Sequence, residues 1–132
     1  MSSDQDKDLV RRMFEAFDAV DNASMDELLS PDFVAHGLAP HFSEDGAGWK
    51  QLAAHWANGF SDEQLALNDF VAEDGKVAVR WTSRVTHSGE VFGIPATNRR
   101  VTVTGIEIYR LTDGRCSEFW GELNLSDLSE VP

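Results

Sequence analysis

The chain predicts an α+β fold, with helices laid on one face of a curved antiparallel sheet. Three observations carry that prediction. Apolar residues recur at helical spacing through the first part of the chain, and strand-like alternation fills the rest. Asp74-Gly75 and Asp113-Gly114 stand where tight turns between strands are needed. Helices followed by a run of hairpins segregate into two layers around one core.

Each element follows from local pattern. Leu9, Val10, Met13, Phe14, Phe17 and Val20 predict a first helix over roughly residues 7–20. Ser24-x-x-Glu27 reads as a capping box opening a short helix through Leu29, which Pro31 stops. Residues 32–36 form a short strand or extended segment, and residues 37–48 a glycine-containing loop. Trp49, Leu52, Ala53, Trp56 and Phe60 mark a third amphipathic helix. Strands are expected over residues 65–72 and 76–87, a brief pairing at 90–92, and a closing hairpin of residues 101–110 and 118–124. One domain is expected over 1–132, with its core at about 9–128.

Alternation assigns faces. Val77, Val79, Trp81, Ser83, Val85 and His87 lie on one side of their strand and should face the helices. In the closing hairpin neither face is clearly polar: Ile106, Ile108 and Phe119 oppose Glu107, Tyr109 and Trp120. A sheet apolar on both faces is expected to be covered on both, which predicts a homodimer through the outer face. A two-residue Asp113-Gly114 loop would set Glu107 opposite Trp120 and Tyr109 opposite Glu118. Glu107 then has two readings, a partly buried acid or base beside a tryptophan, or an outer-face partner of Arg80 or Arg84.

Composition excludes whole classes. The 132 residues carry 11 basic and 23 acidic side chains, a formal charge of −12, which disfavours nucleic acid and anionic membranes as partners. The absence of a signal peptide or apolar run of spanning length makes the cytoplasm the expected address. Cys116 is a lone cysteine in a predicted strand and reads as a small buried thiol. The four histidines lack metal-binding spacing, and no phosphate-cradling glycine loop or nucleophile elbow is present, so no cofactor or metal is expected.

Several segments in order resemble the SnoaL-like polyketide cyclases of the nuclear-transport-factor-2-like superfamily. They are Phe14-Glu15-Ala16-Phe17, Asp26-Glu27-Leu28-Leu29, Pro31-Asp32-Phe33-Val34-Ala35-His36 and Thr86-His87-Ser88-Gly89-Glu90. Gly93-Ile94-Pro95, Gly105-Ile106-Glu107-Ile108-Tyr109-Arg110, Asp113-Gly114-Arg115 and Glu118-Phe119-Trp120 complete the set. The resemblance runs from about Leu9 to Leu128. It implies a cone-shaped, strongly curved antiparallel sheet wrapped round N-terminal helices (a cystatin-like α+β roll), a deep pocket between them, and commonly a dimer. Ketosteroid isomerases and limonene epoxide hydrolases share that superfamily; the Asp-Arg-Asp set of the latter is poorly matched, since Asp113 falls in a turn.

The resemblance also implies site residues. The cyclases carry an acid shortly after the closing tryptophan; the matching residue here is Asn124, an amide that exchanges hydrogen bonds but no proton at neutral pH. His36 stands where isomerase-like relatives place a carboxylate base, and it reads either as a base or as a pocket-rim histidine bonded to backbone. His87 reads as a pocket-mouth residue or as a solvent-facing turn residue, and His55 as solvent-facing. The expected chemistry is cofactor-free proton transfer, or cyclisation or isomerisation, of a small apolar or aromatic carbonyl compound. His36 or Glu107 would act as base, and Asn124 would bond the developing enolate oxygen. Phe14, Phe17, Trp56, Trp81, His87, Tyr109 and Trp120 would hold the ligand. The alternative is a pocket that binds a hydrophobic ligand without turnover.

Overall fold

The computed structural model describes residues 2–38 and 41–129. Three helices precede most of the sheet: α1 (Ser3–Asp18), α2 (Asn22–Leu28) and α3 (Gly46–Gly59), with β1 (Leu29–His36) between the last two. Then come β2 (Phe60–Glu73), β3 (Lys76–His87), β4 (Arg100–Thr112) and β5 (Arg115–Asn124), and a short closing helix α4 (Ser126–Ser129). The strand order is β1-β5-β4-β3-β2. The predicted α+β architecture is the observed one, with one difference: β1 joins the edge parallel to β5, so the sheet is mixed.

The helix starts differ from the predicted ones because caps outrank apolar periodicity at a terminus. Ser2 and Gln5 form a reciprocal capping box, and Asp4 and Asp6 lie in the first turn, so α1 begins well before its apolar stripe. Asp21, not Ser24, caps α2, its carboxylate accepting from the Ser24 amide. Asp45 caps α3 through the Gly48 amide. A Cβ on Gly48 would fall 1.6 Å from the Ser43 carbonyl oxygen, so only glycine fits that first turn. Phe60 opens β2 rather than ending α3. Pro31 lies inside β1, an edge strand whose pairing is irregular between Leu29 and Val34, where a missing amide hydrogen is tolerated.

Both Asp-Gly turns have positive φ at both residues, 52° and 74° at Asp74-Gly75 and 52° and 79° at Asp113-Gly114. That is the geometry of two-residue hairpins. The core lies between the sheet's inner face and the helices. It joins Leu9, Val10, Met13 and Ala16 of α1 to Val77, Val79, Trp81, Ser83, Val85 and His87 of β3. The inward face predicted for β3 is therefore the buried one. Among the described residues no helix is long and apolar enough to cross a membrane.

Candidate active site

Between the sheet and helices α1 and α3 lies a cavity of about 380 Å³. Two cross-strand pairs open it. Trp81 is paired with Gly105, and a Cβ at Gly105 would meet the indole ring at 2.5 Å. Glu107 is paired with Gly121, where a Cβ would meet the Phe119 ring at 2.6 Å. Glycine in mid-sheet costs stability, and here it marks close approach of a large neighbour. Phe14 and Phe17 from α1 and Trp49, Leu52 and Trp56 from α3 close the other side.

Glu107 is the buried carboxyl of this cavity, 9% exposed. Its Oε1 accepts a 2.6 Å hydrogen bond from the Tyr109 hydroxyl. Burial raises its pKa from 4.5 to about 7, against the opposing pull of the Tyr109 hydroxyl and the Trp81 indole. The Trp81 N–H is near enough to favour the charged carboxylate, yet it completes no hydrogen bond of good geometry and stays buried without a partner. A buried orphan donor is costly.

A second carboxyl pair lines the same cavity. Asp18 ends α1, and Glu63 comes from β2. Glu63 Oε2 accepts from Ser83 Oγ at 2.7 Å and from Trp56 Nε1 at 3.4 Å. Desolvation, and then the charge of and hydrogen bond to Glu63, raise the Asp18 pKa from 3.8 to about 7. Sequence reading missed both residues. Asp18 was findable, because it lies four positions after Phe14, one turn along the same helix face. Glu63 was not: the β2–β3 register shifts between Ser61 and Gln64, Asp62 adopts φ 53°, and that bulge turns Glu63 toward Ser83.

The expected site residues divide. Phe14, Phe17, Trp56, Trp81, Glu107 and Tyr109 line the cavity; His36, His87, Trp120 and Asn124 do not. One residue explains most of the split. The β4–β5 register shifts between Arg110 and Leu111, with Ser117 the extra residue, so Glu107 pairs with Gly121 and Ile108 with Trp120. The predicted pairing of Glu107 with Trp120 is thus displaced by one. Phe119 takes the inner face with Tyr109, and Trp120 goes to the outer one.

His36 follows Trp120. Their rings stack at 5.1 Å and 17°, and His36 Nε2 bonds Glu118 Oε2 at 2.8 Å. Glu118 also pairs with Arg110 at 3.1 Å, and its carboxyl lies below the usual range through the His36 hydrogen bond first and Arg110 second. His36 therefore does not converge with Glu107. Asn124 ends β5 and accepts from the Ser126 amide at 3.0 Å, a local turn contact. His87 is not solvent-facing: it is fully buried, with Nδ1 3.1 Å from Thr97 Oγ1. His55 is likewise half-buried, its Nε2 accepting from the Phe92 amide. Cys116 is buried as expected, and burial pushes its thiol up to about 12. Among the described residues no group of three or more His, Cys, Asp or Glu side chains is placed to hold a metal ion.

The α+β fold holds an aromatic-lined cavity in which two carboxyls are raised toward neutrality, the kind of concave, largely apolar site with a few polar groups that small-molecule-binding proteins share. A model of the SnoaL-like polyketide cyclases matches residues 7–130, and the chain belongs to that family. It is 29% identical over 111 residues to aklanonic acid methyl ester cyclase DnrD of Streptomyces peucetius, covering 82% of this chain and 77% of that one. Among solved structures it resembles IdmH of Streptomyces antibioticus, a candidate polyketide cyclase, with a TM-score of 0.79 and 31% identity over 95% of this chain and 96% of that chain. It also resembles AclR of Streptomyces galilaeus, a candidate hydroxylase, with a TM-score of 0.82 and 29% identity over 99% and 89%.

Proposed function

We propose that this chain is a cofactor-free cyclase acting on an apolar, carbonyl-bearing small molecule, with Glu107 as the base. The observation that carries the reading is Glu107 itself, a carboxyl 9% exposed in an aromatic-lined cavity and titrating near 7. A base is most effective when its pKa lies near the working pH. Tyr109 engages Oε1 and holds the carboxyl in the cavity wall. Glu107 takes a proton from the carbon beside one carbonyl. The resulting enolate carbon attacks a second carbonyl carbon of the same molecule. One carbon–carbon bond forms, and the oxygen that receives the electron pair takes up a proton, so no other reactant is consumed. The cyclases among its relatives support this reading.

Aklanonic acid methyl ester, the compound in the name of the DnrD activity, is the first probe. Glu107→Gln keeps shape and removes the titrating group. Its turnover is expected to fall by about 10²–10⁴-fold, while His36→Ala, on the other face, leaves turnover near wild type. Undiminished turnover in Glu107→Gln would remove the base assignment. Tight binding of the probe to the wild type without conversion would favour the reading of a pocket that binds and does not turn over. We also propose a homodimer through the outer sheet face, on which Ile106 and Ile108 are exposed beside Trp120.

A further inference from the structure

We propose that Phe92 is a specificity-determining residue of the cavity and that His55 is the positioning residue that holds it there. The inference rests on the cavity being the ligand site of the cyclase reading; it does not need Glu107 to act as base. Phe92 is part of the cavity wall. It stands at the apex of a tight turn. The Val91 amide donates to the Ile94 carbonyl at 3.0 Å, and the Ile94 amide to the Val91 carbonyl at 2.8 Å. The two apex residues, Phe92 and Gly93, have φ of 48° and 84°. Asp74-Gly75 and Asp113-Gly114 also have positive φ at both residues, and there the first position is aspartate. Asparagine, aspartate and glycine suit that position, whereas a bulky side chain there is strained. Such strain persists only where the surroundings hold it, and it concentrates at ligand sites. The turn gains nothing from a phenylalanine; the cavity gains an aromatic wall.

One face of α3 holds this segment at two points. At its base the Ser88 and Gly89 amides both donate to the Gly59 carbonyl, at 3.1 and 3.0 Å. A Cβ on Gly59 would fall 2.2 Å from Val91 Cγ2, and one on Gly89 2.2 Å from the Asn58 carbonyl oxygen, so the two glycines permit the close approach. At its tip the Phe92 amide donates to His55 Nε2 at 3.0 Å. His55 and Gly59 are four residues apart, one turn along the same face of the helix. A backbone amide only donates, so Nε2 carries the lone pair and Nδ1 the proton. The His55 ring also lies 5.1 Å from the Phe92 ring and 5.5 Å from that of Phe42, and the two phenylalanines meet edge-on at 6.4 Å. His55 thus engages both the backbone and the ring of Phe92. It is not itself among the described residues that line the cavity, so it acts on a ligand through Phe92.

The test compares two flat aromatic ketones of different length, 2-acetylnaphthalene and 2-acetylanthracene. Trp49, Trp56 and Trp81 line the cavity, so binding is read as quenching of tryptophan fluorescence. Phe92→Gly removes the ring and suits the positive φ. It should shift the ratio of the two affinities toward the anthracene ketone by about tenfold, the scale on which a hydrophobic pocket discriminates by size. Phe92→Asn, which the turn also accepts, is the second variant if the glycine variant fails to fold. His55→Leu keeps an apolar contact but cannot accept the amide, and should shift the ratio several-fold in the same direction. His55→Gln, whose side-chain carbonyl can accept, should restore the wild-type ratio. A merely structural role for His55 would weaken both ketones alike and leave the ratio unmoved. Failure of both ketones to quench the wild type, or an unchanged ratio in the Phe92 variant, overturns the inference. An unchanged ratio in His55→Leu, or an equal shift in His55→Gln, overturns the positioning role of His55. Failure of Glu107→Gln to lower turnover overturns the cyclase reading alone.

Discussion

Burial of Glu107 couples folding to pH. Its pKa is 4.5 in the open chain and about 7 in the folded protein, so between those values the folded state binds more protons. Stability from this group is therefore highest below about pH 4.5 and declines as pH rises through about 7. The displacement corresponds to about 3 kcal/mol. Asp18 acts with the same sign from 3.8 to about 7, whereas the helix-capping Asp21 and Asp45 are lowered and oppose it at acid pH. The difference between wild type and Glu107→Gln isolates Glu107. Urea unfolding should find Glu107→Gln more stable than wild type at about pH 8, with the advantage gone near pH 4. An equal difference at both pH values would deny Glu107 its raised pKa. That the chain has a carboxyl here was plain from its sequence, as was its companion Tyr109. The depth of its burial was not, because burial depends on which strand lies beside it.

At the scale of elements, glycine opposite a large residue shapes the site. Gly105→Ala would set its Cβ 2.5 Å from the Trp81 ring, too close for the indole to stay in place. We expect a loss of about 1–3 kcal/mol and a shifted tryptophan fluorescence, both read by thermal unfolding and emission spectra. Wild-type values for both would show that Trp81 does not lie across Gly105. The alternation of β3 was legible because all twelve residues keep period two without interruption. Turn chemistry at Asp113-Gly114 was equally legible and correct. The register beyond it was not, since the extra residue at Ser117 exchanges the faces of Phe119 and Trp120. Ser117 has no side-chain signature that distinguishes a bulge from a regular position. The same is true of Asp62-Glu63, whose irregularity brings Glu63 into the cavity.

Across the whole molecule, an outer sheet face with Ile106 at 57% exposure and Ile108 at 39% is the proposed dimer surface. Ile106→Asp would bury a charge at that contact, so sedimentation should show a dimer for wild type and a monomer for the variant. A monomeric wild type at micromolar concentration would end that proposal. The sequence by itself determined the layers, the hairpin turns, the inward face of β3 and the family, because periodicity, turn residues and motif order are local properties that survive any packing. Tertiary structure decided which chemistry shares the cavity. It sent His36 and Trp120 outside, joined Asp18 and Glu63 across elements, and left the Trp81 N–H unpartnered. The physical reason is that a strand's side chains change faces with every one-residue slip, and a slip is settled by packing against neighbours distant in the chain.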